Sequence, residues 1–497
     1  MTDRLDPSRL ASLPAAVRRP AFDRETLRRG IVHLGLGAFA RAHLAAINDD
    51  ALELAGATPD WGITGVSLRH ADVRDALAPQ QGLYTLTLRD ASGAQVRVIG
   101  SVLEVLVAPE DPSAVLERIA GAATRIVSLT VTEKGYCHDP ATRALRLDHP
   151  DIVHDLTHPE APRSAIGFLV HGLARRRADG APPLTLLSLD NLPSNGDTLH
   201  GLVIAFAERV SSGLARWIER ECRFPNSMVD RIVPRSTAED QAQAEAALGG
   251  LHDAGAVAAE PFLAWAVEDR FASGRPDWRA GGAQLVARAE PFEKLKLRLL
   301  NGAHSAIAYL GVQAGWATVD RAIAQPALAR YIDALLRDEV APTLAAELPG
   351  FDLAAYRAQL LQRFANPALA HRCAQIAMDG SQKLPQRWLG TVRERLAAGL
   401  PIEHLALGIA AWCTHLRGHD EAGRTYPIDD PLAAELAALH ARAMAAPDAR
   451  ERAATFTRLA PVFGDLADAP GLVAPLARAL ETLAARGAAA TLEHHTR

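Results

Sequence analysis

The sequence predicts an α/β fold, with a doubly wound, largely parallel sheet in the N-terminal part and a mostly α-helical C-terminal part. Three observations predict it. Short β-branched runs alternate with alanine-rich helical stretches up to about residue 190, the pattern of βαβ units. The first of these runs ends in a glycine turn that opens a helix. Beyond Pro291 the β-branched runs thin out and apolar residues recur at helical spacing.

Taken in order, Gly30 to Leu34 reads as a strand, Gly35-Leu36-Gly37 as a tight turn and Ala38 to Ile47 as one helix. Further strands are expected at Trp61 to Leu68, Leu83 to Leu88, Val96 to Ile99, Ile126 to Val131 and Leu184 to Leu189. The Leu83 and Val96 runs flank Asp90-Ala91-Ser92-Gly93 and predict a hairpin added to the sheet. Lys294 to Leu310, Ala329 to Val340, Ile402 to Leu416 and Leu472 to Leu483 carry helical periodicity. The glycine-rich stretch from Ser273 to Gly282 reads as a loop, and a domain boundary is expected just after it, giving domains 1–285 and 286–497.

Length and composition narrow the function classes. At roughly 150 residues per domain, 497 residues fit about three units or one large two-domain enzyme. With 53 basic against 58 acidic residues and no basic block, nucleic acid is not an expected partner. No apolar run reaches the roughly 18 residues of a membrane span, and the first twenty residues mix charges and prolines, so no membrane partner and no secretory signal are expected. A cytoplasmic enzyme is the expectation. Cys137, Cys222, Cys373 and Cys413 are far apart, without a CxxC pair, and read as reduced buried thiols; no metal site is expected.

Gly35-x-Gly37-x-x-Ala40, after a strand and opening a helix, meets the needs of a dinucleotide pyrophosphate: a tight turn, a close backbone approach and free N–H groups at a helix start. The N-terminal domain is therefore expected to be of Rossmann type. Asp72 is the candidate for the adenosine ribose, although it lies 35 residues beyond Gly37, against the usual spacing of about 20. Arg69 beside it suits a 2′-phosphate, so NAD is expected as cofactor with NADP left open. Two other strands run into polar ends, Glu133-Lys134-Gly135-Tyr136 and Asp190-Asn191-Leu192-Pro193-Ser194-Asn195-Gly196, at the end of the sheet where ligands bind. Turn formation alone accounts equally well for Pro193 to Gly196.

On an ideal α-helix with Lys296 at zero, His304 falls at about 80° and Asn301 at about 140°, so an amine, an amide and an imidazole share one broad face. A solvated face explains the spacing as well as catalysis does. No tyrosine has lysine four residues on, and no Cys/His cluster suggests catalytic zinc, which leaves a metal-free dehydrogenase that uses lysine.

Several stretches, in order, carry a resemblance: IVHLGLGAFARAH (31–43), IVSLTVTEKGYC (126–137), DNLPSNG (190–196), FPNSMVDRIVP (224–234), VEDRFASGRPDW (267–278), KLRLLNGAHSAIAYLG (296–311) and AMDGSQKLP (377–385). Together they resemble the long-chain, polyol-specific mannitol dehydrogenase family, and HRCAQIAMDGSQKLPQR (371–387) is most similar to its fructuronate reductase (D-mannonate oxidoreductase) branch. The resemblance implies a Rossmann-type domain followed by a mostly helical domain that holds the substrate, and metal-independent hydride transfer between NAD(P) and a secondary alcohol. It implies Lys296 as general base, Asn191 and Asn301 polarising the reacting oxygen, His304 orienting the substrate and Glu133 relaying the proton toward water. Asp230 and Lys383 match substrate-site positions, while Gly35, Gly37, Phe39 and Asp72 fall to the cofactor.

Gln375 stands where mannitol-specific members tend to carry arginine, whereas DNLPSNG is closer to polyol dehydrogenases. Ala71 replaces an acidic residue that often precedes the Asp72 position. Fructuronate reduction to D-mannonate is the first expectation, with mannitol 2-dehydrogenase or arabinitol dehydrogenase as alternatives and an inactive dinucleotide-binding sensor as the alternative of another class. The expected partner is a small polyol, ketose or uronate; a carboxylate on it needs a cation, for which Lys383 and Arg298 are candidates. Oligomeric state is left open.

Overall fold

The computed structural model describes residues 3–90, 93–139, 142–367 and 371–495. The chain forms two compact units, Met1–Glu290 and Pro291–Arg497.

The first unit is built on a five-stranded parallel sheet. In chain order its strands are β1 (Arg29–Leu34), β2 (Gly62–Ser67), β5 (Val102–Val107), β6 (Ile126–Leu129) and β7 (Thr185–Ser188), lying side by side as β5-β2-β1-β6-β7. β1, β2, β6 and β7 are buried along almost their whole length, which is why they read as near-continuous apolar runs. Strand order reverses between β1 and β6, so the crevice beyond their carboxyl ends is where such a sheet receives a ligand. β5 lies outside the strands read from the sequence: Val102 follows the Val96 run after only Gly100 and Ser101, and the two merge into one apolar stretch.

The expected hairpin forms, with β3 (Tyr84–Asp90) antiparallel to β4 (Gly93–Ile99), but it is not added to the parallel sheet. Its other edge pairs with β9 (Val257–Ala259) in a separate small sheet. Ala91 and Ser92 of its turn lie outside the described residues, as do Pro140 and Ala141. A third sheet joins β8 (Ser227–Asp230), β10 (Ala264–Glu268) and β11 (Ala283–Val286). The Ser273 to Gly282 stretch is no solvent loop: Trp278 is fully buried and donates its indole N–H to Asn48 at 3.1 Å. The helix expected from Ala38 to Ile47 is two pieces, Ala38–Ala42 and Leu44–Leu52, broken at His43, whose ring stacks on Phe39 and meets Trp265 edge-on.

The second unit is helical among its described residues. Three stretches widen from α to π geometry: Lys296–Asn301, Leu335–Val340 and Pro385–Leu389. All four cysteines are free and buried. No described helix is long and apolar enough to cross a membrane.

A buried polar chain ties β1 to β6. Ser128 Oγ lies 2.8 Å from His33 Nδ1, His33 Nε2 lies 2.9 Å from Thr130 Oγ1, and Thr130 Oγ1 donates to the carbonyl of Gly35 at 2.7 Å. Thr130 has one hydroxyl proton and gives it to Gly35, so His33 donates from Nε2 and accepts at Nδ1. Complete burial pushes the His33 pKa down to about 4. The unfolded chain binds that proton below about pH 6.5, so the stability His33 contributes is present above that pH and is lost as pH falls toward 4. We expect the unfolding free-energy gap between the wild type and His33→Gln, measured in urea, to narrow by about 3 kcal/mol from pH 7 to pH 4. A gap independent of pH rules out this role for His33.

Candidate active site

In the first unit a pocket of about 370 Å³ opens at the reversal point, lined by the turn after β1 (Gly35, Leu36, Gly37), the segment after β2 (Ser67 to His70, Asp72) and the segment after β6 (Thr130, Val131, Lys134, Gly135). The two glycines do different jobs. Gly35 has φ +89°, and a Cβ on it would lie 2.3 Å from the carbonyl oxygen of Thr130. Packing alone requires it to be bare. Gly37 has an ordinary extended backbone (φ −77°, ψ −174°), and a Cβ on it would meet nothing closer than 3.9 Å. Nothing in the fold demands glycine there, and its bareness keeps the pocket floor accessible to a ligand backbone.

Of the residues expected at a cofactor, the pocket brings together Gly35, Gly37 and Asp72. Asp72 does not end β2, which stops at Ser67; it opens the helix Asp72–Leu77, exposed, with exposed Arg69 also in the lining. Phe39 is outside the lining, its ring stacked on His43 at 4.9 Å.

The polar ends of β6 and β7 are clamped by a residue the sequence reading passed over as a site. Asp190 accepts from the N–H groups of Val131 and Thr132, both at 3.0 Å, and from Tyr136 Oη at 2.8 Å. Burial pushes its pKa up, and these three donors oppose the shift. Thr132 sits at φ 62°, ψ 165°, a conformation costly for a β-branched residue. Glu133 follows it, exposed at the start of a helical turn. Asn191 is exposed beside Asp190. Asn195, by contrast, is structural: buried, it donates to Ser227 O at 2.9 Å and accepts from Ser227 N at 2.9 Å, stapling the turn to β8. Asp230 ends β8 and is buried.

In the second unit Lys296 and Asn301 mark the two ends of the first π-helical stretch. With i→i+5 pairing the fifth residue on comes round to nearly the same side, so the two lie closer in azimuth than α geometry predicts. Side chains from the third π-helical stretch supply extra donors there: Arg387 Nη1 to the Asn301 carbonyl at 3.1 Å and Trp388 Nε1 to the Gly302 carbonyl at 3.1 Å. Lys296, Asn301 and His304 are all half-buried. The His304 ring packs on Phe364 at 4.8 Å, with His371 5.8 Å away. Desolvation first, then Arg363, His371 and Arg387, hold its pKa well below the ordinary imidazole value.

Lys383 is half-buried and donates to the carbonyls of Ile376 and Met378, with Asp379 at 3.6 Å. Burial and Arg387 pull its pKa down. Arg298, the other candidate cation, has its guanidinium committed to both oxygens of Glu394, at 2.7 and 2.6 Å, and to Thr343. Arg387 takes its place as the candidate, bound through Nη1 to Asn301 and, at 2.7 Å, to Ser305 Oγ. Sequence spacing gave no sign of it, since the contact spans 86 residues. Gln375 is exposed.

Residues 29–280 match the family model described as the mannitol dehydrogenase Rossmann domain, and residues 288–484 the mannitol dehydrogenase C-terminal domain. The chain is 43% identical to the oxidoreductase YeiQ of Escherichia coli over 480 residues (96% of each chain). It is also 43% identical to the D-mannonate oxidoreductase of the same organism over 484 residues, covering 96% of this chain and 97% of the relative. The solved Pseudomonas fluorescens mannitol 2-dehydrogenase, a ternary complex with NAD and D-mannitol, superposes with a TM-score of 0.80 at 37% identity, covering 99% of both chains.

The His304 environment predicts a ring that stays neutral at pH 6, because its protonation lies well below 6.5. The ¹⁵N shifts of the imidazole, assigned through their loss in His304→Asn, check this; an imidazolium signal at pH 6 refutes it.

Proposed function

We propose a reaction for this chain on one premise: the chain belongs to the mannitol dehydrogenase family of oxidoreductases. It interconverts a secondary alcohol and a ketone with NAD, and its substrate pair is D-mannonate and D-fructuronate. The observation that carries the choice of an acidic sugar over a neutral polyol is the charge around His304, where the cations Arg363 and Arg387 bear on the ring and Lys383 stands close to Arg387, with Asp379 and Asp430 offsetting only part of it. A carboxylate offsets such a concentration of cations; a hydroxyl does not. The full-length likeness to the D-mannonate oxidoreductase of Escherichia coli supports the same choice. A second reading, mannitol oxidation, is favoured by the likeness to the mannitol 2-dehydrogenase complex.

Bound NAD supplies the hydride acceptor, and in its reduced form the donor. The chain's own residues bind, orient and move a proton. Gly37 leaves room for a pyrophosphate at the start of the Ala38–Ala42 helix, whose first N–H groups have no intrahelical partner. Asp72 takes the adenosine ribose, with Arg69 near enough in the lining to weigh on the choice between NAD and NADP. Lys296 takes the hydroxyl proton in oxidation and returns it in reduction. A lysine at its ordinary pKa of about 10.4 is a poor base at neutral pH, so this role requires desolvation of the amine. Asn191 and Asn301 donate amide hydrogens to the oxygen where negative charge develops. His304, neutral by virtue of its surroundings, orients a substrate hydroxyl without adding charge. Glu133, exposed, passes the proton to water. Asp230 and Lys383 hold the rest of the substrate.

Two experiments test these assignments. Gly37→Ala adds a methyl group that meets nothing closer than 3.9 Å, so its melting temperature should stay within about 2 °C of wild type while the dissociation constant for NAD rises tenfold or more. Unchanged NAD affinity places the pyrophosphate elsewhere. The second follows NADH consumption with fructuronate, tagaturonate, fructose and xylulose, using wild type and Lys296→Ala. The expected result is highest kcat/KM with fructuronate and a kcat at least about a hundredfold lower in the variant, with NADH affinity nearly unchanged. Preference for fructose selects the mannitol reading, and near-normal turnover in Lys296→Ala removes the lysine from proton transfer.

A further inference from the structure

We propose that Cys137, His149 and Asp151 form a binding site for one divalent transition-metal ion of the zinc type, inside the pocket at the carboxyl end of the parallel sheet. The sequence alone does not group them, since Cys137 stands a dozen residues before the other two. The chain folds back through an antiparallel bridge between His138 and Leu145, and the Arg146 N–H holds the Cys137 carbonyl at 2.9 Å. One donor atom from each of the three side chains then lies within 4.8 Å of the others. All three residues line the pocket of about 370 Å³.

The donor set is specific. A thiolate, an imidazole and a carboxylate suit a borderline ion such as Zn²⁺ or Co²⁺, whereas Mg²⁺ and Ca²⁺ prefer oxygen alone. Bonds of 2.0–2.3 Å place tetrahedral donors about 3.3–3.8 Å apart, so closing the site requires side-chain movements of roughly 1 Å. The Cys137 thiol has only a 4.0 Å contact to the Gly135 carbonyl. His149 Nδ1 accepts the Asp151 N–H at 3.2 Å, a long bond that the ion must outcompete if it binds that nitrogen.

Cys137 itself is in the left-handed region (φ 52°, ψ 37°), uncommon for a residue with a side chain. On binding, the thiol proton passes to solvent and the S–metal bond forms without any redox change. One thiolate and one carboxylate neutralise the dication. That neutrality limits the repulsion from Arg69 and Arg163, exposed cations in the same lining. Three protein ligands leave a fourth position for water facing the pocket.

The ion and a dinucleotide would share this pocket, a consequence that rests on the cofactor reading given under Proposed function. Zinc therefore acts as an inhibitor that competes with cofactor, and takes no part in hydride transfer.

Titrating the full chain with Co²⁺ under a thiol-free reductant tests the site directly. We expect one Co²⁺ per chain, a thiolate-to-cobalt charge-transfer band, and its bleaching by Zn²⁺. Cys137→Ser should abolish the band, and Asp151→Asn should weaken Co²⁺ binding at least about tenfold, each with an unchanged far-UV circular dichroism spectrum and a melting temperature within about 2 °C of wild type as the check on folding. Absence of the band in wild type, or its persistence in Cys137→Ser, overturns the metal site while leaving the cofactor reading intact. Zn²⁺ should also raise the apparent dissociation constant for NADH in wild type and not in Cys137→Ser. A cobalt band with NADH binding indifferent to Zn²⁺ keeps the metal site and overturns its overlap with the dinucleotide.

Discussion

The first unit depends on a close approach between the ends of two neighbouring parallel strands. Where β1 and β6 part, the Gly35 backbone passes so near the Thr130 carbonyl that no side chain fits between them. The Ser128–His33–Thr130–Gly35 hydrogen-bond chain holds that approach from beneath, inside the sheet. A neutral histidine makes the chain work, because it donates at one nitrogen and accepts at the other between two hydroxyls. An aliphatic residue at position 33 would leave the two hydroxyls short of a partner in a buried place, which costs more than the hydrogen bonds themselves contribute. The crevice exists because these backbones are pinned at its base and diverge above it.

Above that base, order comes from Asp190. One half-buried carboxylate gathers two N–H groups and a phenol from the segment after β6, although it belongs to the segment after β7. The strained Thr132 backbone is held by the same contacts, so the conformation that presents Glu133, Lys134 and Gly135 is determined by a neighbouring strand more than by its own residues. In the second unit the Lys296–Asn301 stretch is supported in a similar way. A π turn is unfavourable by itself, and here it accompanies donors from Arg387 and Trp388 on the adjacent helical stretch.

These dependences explain what could be read from the sequence. The strand, glycine turn and helix around Gly35 were legible because each signal is local: a β-branched run, two glycines and then alanines. The change to helical periodicity beyond Pro291 was equally legible. β5 was not, because its apolar run abuts that of β4 and periodicity cannot separate two buried strands. Nor was the π turn, since α-helical angles were assumed for a stretch whose backbone follows its neighbours. Arg298 and Arg387 look alike in sequence; only the Glu394 carboxylate, far along the chain, separates a satisfied ion pair from a cation available to a ligand. The meeting of Cys137 with His149 and Asp151 likewise depends on how a loop folds back.

The charge pattern of the second unit bears most directly on which substrate such a site prefers. A neutral polyol gains from hydrogen bonds, which neutral amides and hydroxyls supply without the cost of desolvating several cations. Arg363, Arg387 and Lys383 are nevertheless drawn into partly buried positions near one another, and the pKa values of Arg387 and Lys383 are depressed, by burial above all. Asp379 and Asp430 offset part of this charge, Asp379 from the position just before Gly380, where Trp412 and Tyr309 crowd so closely that no side chain fits. Positive charge held in a partly dry site is costly to the free protein, and part of that cost is recovered when an anion binds. On the reading proposed above, a carboxylate on the substrate would recover more of it than a terminal hydroxyl would, because only the carboxylate carries the opposite charge.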